Sequence, residues 1–148
     1  MIRLADAAAP KETGGTLLGY WTTAGDDVVV TNITGPGPGA IHENHRFVPD
    51  YDYQDREIVA IYAASGRHHA YLGDWHTHPN GGTGLSRQDR CTLRRIAAHA
   101  PARAPCPLMA VLGERSEWNL KIWAYLPRNI RAWRPLARTI TAKTRLFE

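Results

Sequence analysis

Short apolar runs broken by glycine, proline and acidic turns dominate the first third of the chain. Thr16 to Trp21 (Thr-Leu-Leu-Gly-Tyr-Trp) is apolar and strand-like, and Val28, Val29, Val30 and Ile33 mark a second strand across Asp27 to Ile33. Ala24-Gly25-Asp26-Asp27 between them is turn chemistry, so the two runs predict an antiparallel hairpin. Gly35-Pro36-Gly37-Pro38-Gly39 ends the second strand. Residues 40 to 53 are polar and irregular, with Phe47 and Val48 as a short strand. Helical spacing first appears from Gln54 to Ser65, where Ile58, Ile61, Tyr62 and Ser65 share a face and Gly66 is a stop.

Ala70 to His76 reads as a strand, and Asn80-Gly81-Gly82-Thr83-Gly84 as a loop. Ser86 opens a helix whose Leu93, Ile96, Ala97 and Ala100 fall at i, i+3, i+4 and i+7, and Pro101 ends it. Pro107 to Gly113 and Trp118 to Leu126 are further strands, the second alternating Leu120, Ile122 and Ala124 against Lys121, Trp123 and Tyr125. From Pro127 the pattern fits strand and helix equally. Interspersed strands and helices predict an α/β (α+β) fold, a mixed sheet covered by helices. A chain of 148 residues suits one domain, 1–148, with a real core.

Composition narrows the class. With 43% hydrophobic and 22% charged residues the chain reads as globular. No apolar run approaches the ~20 residues that span a bilayer. The opening residues include Asp6 and lack the apolar core of a signal peptide, so the expected location is cytoplasmic. Cys91 and Cys106 form no Cys-x-x-Cys, which argues against a disulfide framework or a thiolate zinc site. The net charge is +4, with Arg128, Arg131, Arg134, Arg138, Lys143 and Arg145 clustered near the end. A solvated face is the expected reading of that stripe, and nucleic acid is not an expected partner.

The candidate chemistry lies in His76-Thr77-His78-Pro79 and Ser86-Arg87-Gln88-Asp89. Two imidazoles two residues apart on a strand point to one face. Pro79 fixes the exit from the strand, and the glycine-rich loop lets the next helix fold back so that Asp89 reaches the histidines. Three nitrogen and oxygen ligands leave a fourth zinc position open, the pattern of a catalytic site. Ser-x-x-Asp before an apolar helix is also a capping signal that needs no metal, and the two readings are compatible. Glu12, in Lys11-Glu12-Thr13-Gly14-Gly15, is a candidate general base. Trp75 alternates to the opposite face and is expected in the core. His42, His45, His68, His69 and His99 have no fitting partners and read as surface or loop residues, and Cys91 as a buried, inert thiol.

These segments together, Glu12-Thr13-Gly14-Gly15-Thr16-Leu17-Leu18-Gly19, His76-Thr77-His78-Pro79 and Ser86-Arg87-Gln88-Asp89, resemble the JAMM motif of MPN-type zinc metallopeptidases. The resemblance is strongest to short prokaryotic JAB-domain proteins and runs from about Lys11 to Leu126. It implies a cytidine-deaminase-like fold with a curved mixed sheet between helices. It implies Zn2+ held by His76, His78 and Asp89, with Glu12 as base and acid and the Ser86 hydroxyl stabilising the oxyanion. The implied activity is hydrolysis of a peptide or isopeptide bond after the C-terminus of a ubiquitin-like or otherwise conjugated protein. Residues 72 to 79 are similar to JAB peptidases of bacterial conjugation operons, including the CBASS anti-phage systems. Alternatives are a peptidase that processes a sulfur-carrier protein and a non-catalytic MPN-type binding module. A zinc nucleobase deaminase needs His-x-Glu and Pro-Cys-x-x-Cys, which this chain lacks. In the family a longer helix precedes the Glu-x-Gly-Gly segment, whereas eleven residues precede Glu12, enough for a turn or two over Asp6 to Ala9. The short Pro101–Pro107 segment leaves no room for the insertion that selects ubiquitin chains in eukaryotic relatives.

Overall fold

The computed structural model describes residues 1–23, 27–114, 116–127 and 138–145. The chain begins with helix α1 (Ile2–Ala8), which starts before the expected Asp6 and seats Ala5 in the core. Strands β1 (Gly14–Trp21) and β2 (Val28–Ile33) form the expected antiparallel hairpin. The polar stretch after it is more ordered than its composition suggests. Strands β3 (Ile41–Glu43) and β4 (Arg46–Val48) pair as a small separate hairpin. Helix α2 (Tyr51–Ala64) starts three residues before the expected Gln54, because the Asp50 carboxylate caps it by accepting the Tyr53 N–H at 3.1 Å. Gln54 itself is buried and donates to the Gly35 carbonyl at 2.8 Å, tying α2 to the chain leaving β2.

Strand β5 (Ala70–His78), helix α3 (Arg87–Ala98) and strand β6 (Leu108–Glu114) form a strand-helix-strand unit whose strands run parallel. A parallel pair needs such a crossover. Strand β7 (Trp118–Leu126) lies where its alternation places it, and β8 (Arg138–Thr141) adds an antiparallel edge. Of the segment after Pro127, Arg138–Thr141 is strand, while residues 128–137, with Arg128, Arg131 and Arg134 of the basic stripe, lie outside the described residues. The sheet order is β2-β1-β5-β6-β7-β8, mixed as expected, with β5 and β6 at its centre.

Both faces are apolar. One gathers Ala5, Leu17, Leu72, Trp75, Leu108, Ala110, Leu112 and Ala124. The other packs Leu93 of α3 and Leu85 against Met109 and Val111, with Trp123 and Tyr125 beside them. This explains β7, whose two alternating sets each meet a core. Leu72 and Trp75 share a cluster although they are three residues apart. A register shift opposite Leu17/Leu18 inserts an extra residue there. Gly73 adopts φ +146, and a Cβ on it would lie 2.0 Å from the Leu108 carbonyl oxygen, so glycine is required. Beyond the bulge, alternation sends Trp75 and Thr77 into the core and His76 and His78 to the α3 side.

Among the described residues no helix is long and apolar enough to cross a membrane.

Candidate metal centre

The site forms at the carboxyl end of β5, where α3 begins, the position at which α/β crossovers commonly bind ligands. Trp75 and Thr77 are 1% and 0% exposed, so the strand carrying the histidines is anchored from behind. The Trp75 indole N–H donates to the Thr34 carbonyl at 3.0 Å, confirming it as a core residue. Past His78 the chain turns sharply: Asn80 has φ +58 and the Gly81 N–H returns to the His78 carbonyl at 3.0 Å. That turn brings the Gly82 carbonyl to His78 Nδ1 at 3.0 Å. A carbonyl only accepts, so Nδ1 carries a hydrogen, and in the neutral ring this leaves the Nε2 lone pair for a ligand.

Ser86 closes the site from the helix side. Its hydroxyl oxygen accepts the Asp89 N–H at 3.1 Å, and Asp89 Oδ2 accepts the Ser86 N–H at 2.7 Å. This reciprocal capping box orients the carboxylate toward the histidines. Asp89 Oδ1 lies 3.4 Å from His76 Nε2, and Oδ2 lies 3.7 Å from His78 Nε2. The two Nε2 atoms are 3.0 Å apart, with the rings at 62°. Burial alone would push the Asp89 carboxyl up, but the His76 imidazole and the Ser86 hydrogen bonds hold it well below the ordinary carboxylate range.

The donor set can be tested against an ion. Ligand atoms ~2.0–2.1 Å from a tetrahedral zinc sit roughly 3.3–3.4 Å from one another. The separations of 3.0, 3.4 and 3.7 Å bracket that value. Two imidazoles with a carboxylate suit a divalent transition-metal ion, zinc included, and the His78–Gly82 bond is the outer support such ligands ordinarily have. The residues fit the group. Among the described residues this is the one such cluster of ligand-bearing side chains.

Glu12 reaches the same place from far away in sequence. Thr13, next to it, donates its N–H to the Thr77 hydroxyl at 2.9 Å, and the Thr77 N–H returns to the Thr13 carbonyl at 2.8 Å. Thr77 thus presents the two histidines on one face and clamps the Glu12 segment through its own backbone and side chain. Gly14 then pairs with His76. A Cβ on Gly14 would stand 2.3 Å from the Trp75 carbonyl oxygen, and one on Gly15 2.3 Å from that of Thr34, so neither position tolerates a side chain. Burial raises the half-buried Glu12 carboxyl above its ordinary range, and the nearby His76 and His78 only partly offset this.

The structure therefore brings Glu12, His76, His78, Ser86 and Asp89 into one region. Sequence reasoning overlooked three of the groups around them. Thr77 gave no signal beyond its place between two histidines. Asp74 precedes His76 on the same face, accepts the Tyr71 hydroxyl at 2.7 Å, and has its carboxyl raised by burial. His42 is a correction: rather than a loop residue without a partner, it lies half-buried on β3 with Nδ1 2.9 Å from the Glu12 carbonyl. His69 also has a partner, the Thr31 hydroxyl at 3.1 Å, whereas His45, His68 and His99 are exposed as expected. Cys91 is half-buried rather than buried.

A mixed sheet with this cluster at the end of its central strand is the arrangement of a JAB-type domain. Residues 1–134 match the family described as prokaryotic homologs of the JAB domain, and the chain belongs to that family. It is 44% identical over 114 residues to the "Probable metalloprotease y4qB" of Sinorhizobium fredii, covering 76% of this chain and 69% of that protein. It is 29% identical to a CD-NTase/cGAS isopeptidase of Vibrio cholerae, over 72% of this chain and 65% of that one. An Escherichia coli protein of the same name is 31% identical over 46% of this chain and 42% of its own length. The fold is shared with the solution structure of a Desulfitobacterium hafniense protein, at a TM-score of 0.59 and 22% identity, covering 83% of this chain and 77% of that one.

Proposed function

We propose that the chain is a zinc-dependent isopeptidase or peptidase that hydrolyses a peptide or isopeptide bond after the C-terminus of a ubiquitin-like or conjugated protein. The observation that carries this is the convergence of His76, His78 and Asp89 on one point with the Glu12 carboxyl in electrostatic reach. Support for a metal and a hydrolase comes from the metalloprotease and isopeptidase relatives. The isopeptidase names of two relatives also favour a protein substrate joined by an isopeptide bond.

His76, His78 and Asp89 would hold the zinc, which would supply Lewis acidity toward the attacking water and the scissile carbonyl. Glu12 takes the proton of the attacking water and later delivers it to the leaving amine. The Ser86 hydroxyl oxygen already accepts the Asp89 N–H, which leaves its hydrogen free to donate to the oxyanion. Ser86 is exposed, so a substrate carbonyl has access to it.

The test is to count zinc on the purified chain and to follow cleavage of a fusion with a reporter after a ubiquitin-like tail. One zinc per chain and chelator-sensitive cleavage at the junction are expected. A chain that takes up no zinc with its donor residues intact overturns the proposal.

A further inference from the structure

We propose that the β3–β4 hairpin is a clamp for the base, with His42 as the positioning residue that holds Glu12 through its backbone. The inference rests on the reading of Glu12 as the base. Helix α1 ends at Ala8, and Glu12 lies beyond it, outside any regular element. The hairpin holds it with three contacts. The Glu12 N–H donates to the Glu43 carbonyl at 2.9 Å. His42 Nδ1 donates to the Glu12 carbonyl at 2.9 Å. The Phe47 ring covers Gly14, where a Cβ would meet Cε1 at 2.8 Å, and the same ring supports the His42 imidazole at a centroid distance of 5.5 Å.

Glu12 to Gly14 is thus held between two walls. On one side Thr13 exchanges two hydrogen bonds with Thr77 of β5. On the other, both backbone polar groups of Glu12 are taken by the hairpin. With N–H and carbonyl fixed, rotation of the Glu12 peptide planes is blocked and the side chain leaves the backbone in one direction. A carbonyl partner requires hydrogen on Nδ1, present in the neutral Nδ1–H tautomer and in the imidazolium alike. Asparagine can place an amide N–H near the same position, whereas alanine cannot. A base displaced by about 1 Å loses on the order of 10²-fold in rate.

The experiment uses the full, zinc-loaded chain with His42→Ala and His42→Asn beside Glu12→Gln. Hydrogen exchange is read on peptides covering residues 11–14 and on β6 as a reference, and cleavage is read on the ubiquitin-like reporter fusion. His42→Ala should keep its zinc and its β6 protection, speed exchange at residues 11–14, and lower kcat roughly ten- to hundredfold with KM unchanged. His42→Asn should restore most of both. Unchanged exchange at residues 11–14 in His42→Ala, or an Asn variant that behaves as Ala does, overturns the clamp. If Glu12→Gln retains full activity, the base reading fails instead, and exchange still reports whether the hairpin holds the segment.

Discussion

The two halves of the site are built by different means. The proposed metal half, His76, His78 and Asp89, comes from one continuous strand-loop-helix segment. Its parts are alternation after a bulge, a glycine-rich turn and a capping box. The other half, the proposed base Glu12, belongs to no regular element and is placed by contacts from β5 on one side and the β3–β4 hairpin on the other. Local chemistry assembles the first half, whereas tertiary packing assembles the second. The two halves should therefore fail separately.

The largest effect is expected at His76. His76→Ala removes a ligand-bearing side chain, so zinc and cleavage should both disappear, read by metal analysis and reporter hydrolysis. Retained stoichiometric zinc would detach His76 from the metal half. Next comes Ser86→Ala, which tests whether one residue serves both capping and chemistry. Loss of an oxyanion donor typically raises the barrier by ~2.7–4 kcal/mol, and loss of the cap costs ~1 kcal/mol of stability. Cleavage at the wild-type rate would leave only the cap.

Thr77→Val cuts between the halves. The buried Thr13 N–H loses its acceptor, which costs ~1–3 kcal/mol, measured as a lower denaturant midpoint. Zinc should remain while kcat falls, because the histidine side chains keep their face and the Glu12 segment loosens. Loss of zinc with unchanged kcat per zinc would reverse the assignment.

The smallest effect separates the two carboxylates by pH in chelated protein. Asp89 has a depressed folded pKa, so its stabilising contribution is present above the unfolded value of ~3.9 and is lost as pH falls below it. Glu12 has a raised folded pKa, so ionising it costs stability as pH rises from ~4.3 through the folded value. Thermal scans at neutral pH should find Glu12→Gln more stable and Asp89→Asn less stable than wild type. Shifts of the same sign would remove the electrostatic distinction.

The same division explains what the sequence revealed. The His-x-His strand, the Ser86 cap and the alternation of β7 rest on periodicity and capping, which act within a few residues. Strand β4 is expected at Phe47 and Val48, but its partner β3 is three residues without apolar alternation, and the hairpin's contacts with Glu12 and Gly14 are tertiary. His42 was invisible because its partner is a backbone carbonyl, which leaves no mark in residue type. The early start of α2 was readable: Asp50 after Pro49 is a capping signal. Glu12 became a candidate through the motif it completes, since an isolated glutamate before a strand carries no spacing rule.

The most direct measurement is zinc content and single-turnover cleavage of Glu12→Gln beside wild type on the same reporter fusion. Separate assembly of base and metal predicts equal zinc in both proteins and a ~10²–10⁴-fold loss of cleavage in the variant. Full cleavage by Glu12→Gln, or loss of its zinc, would contradict it.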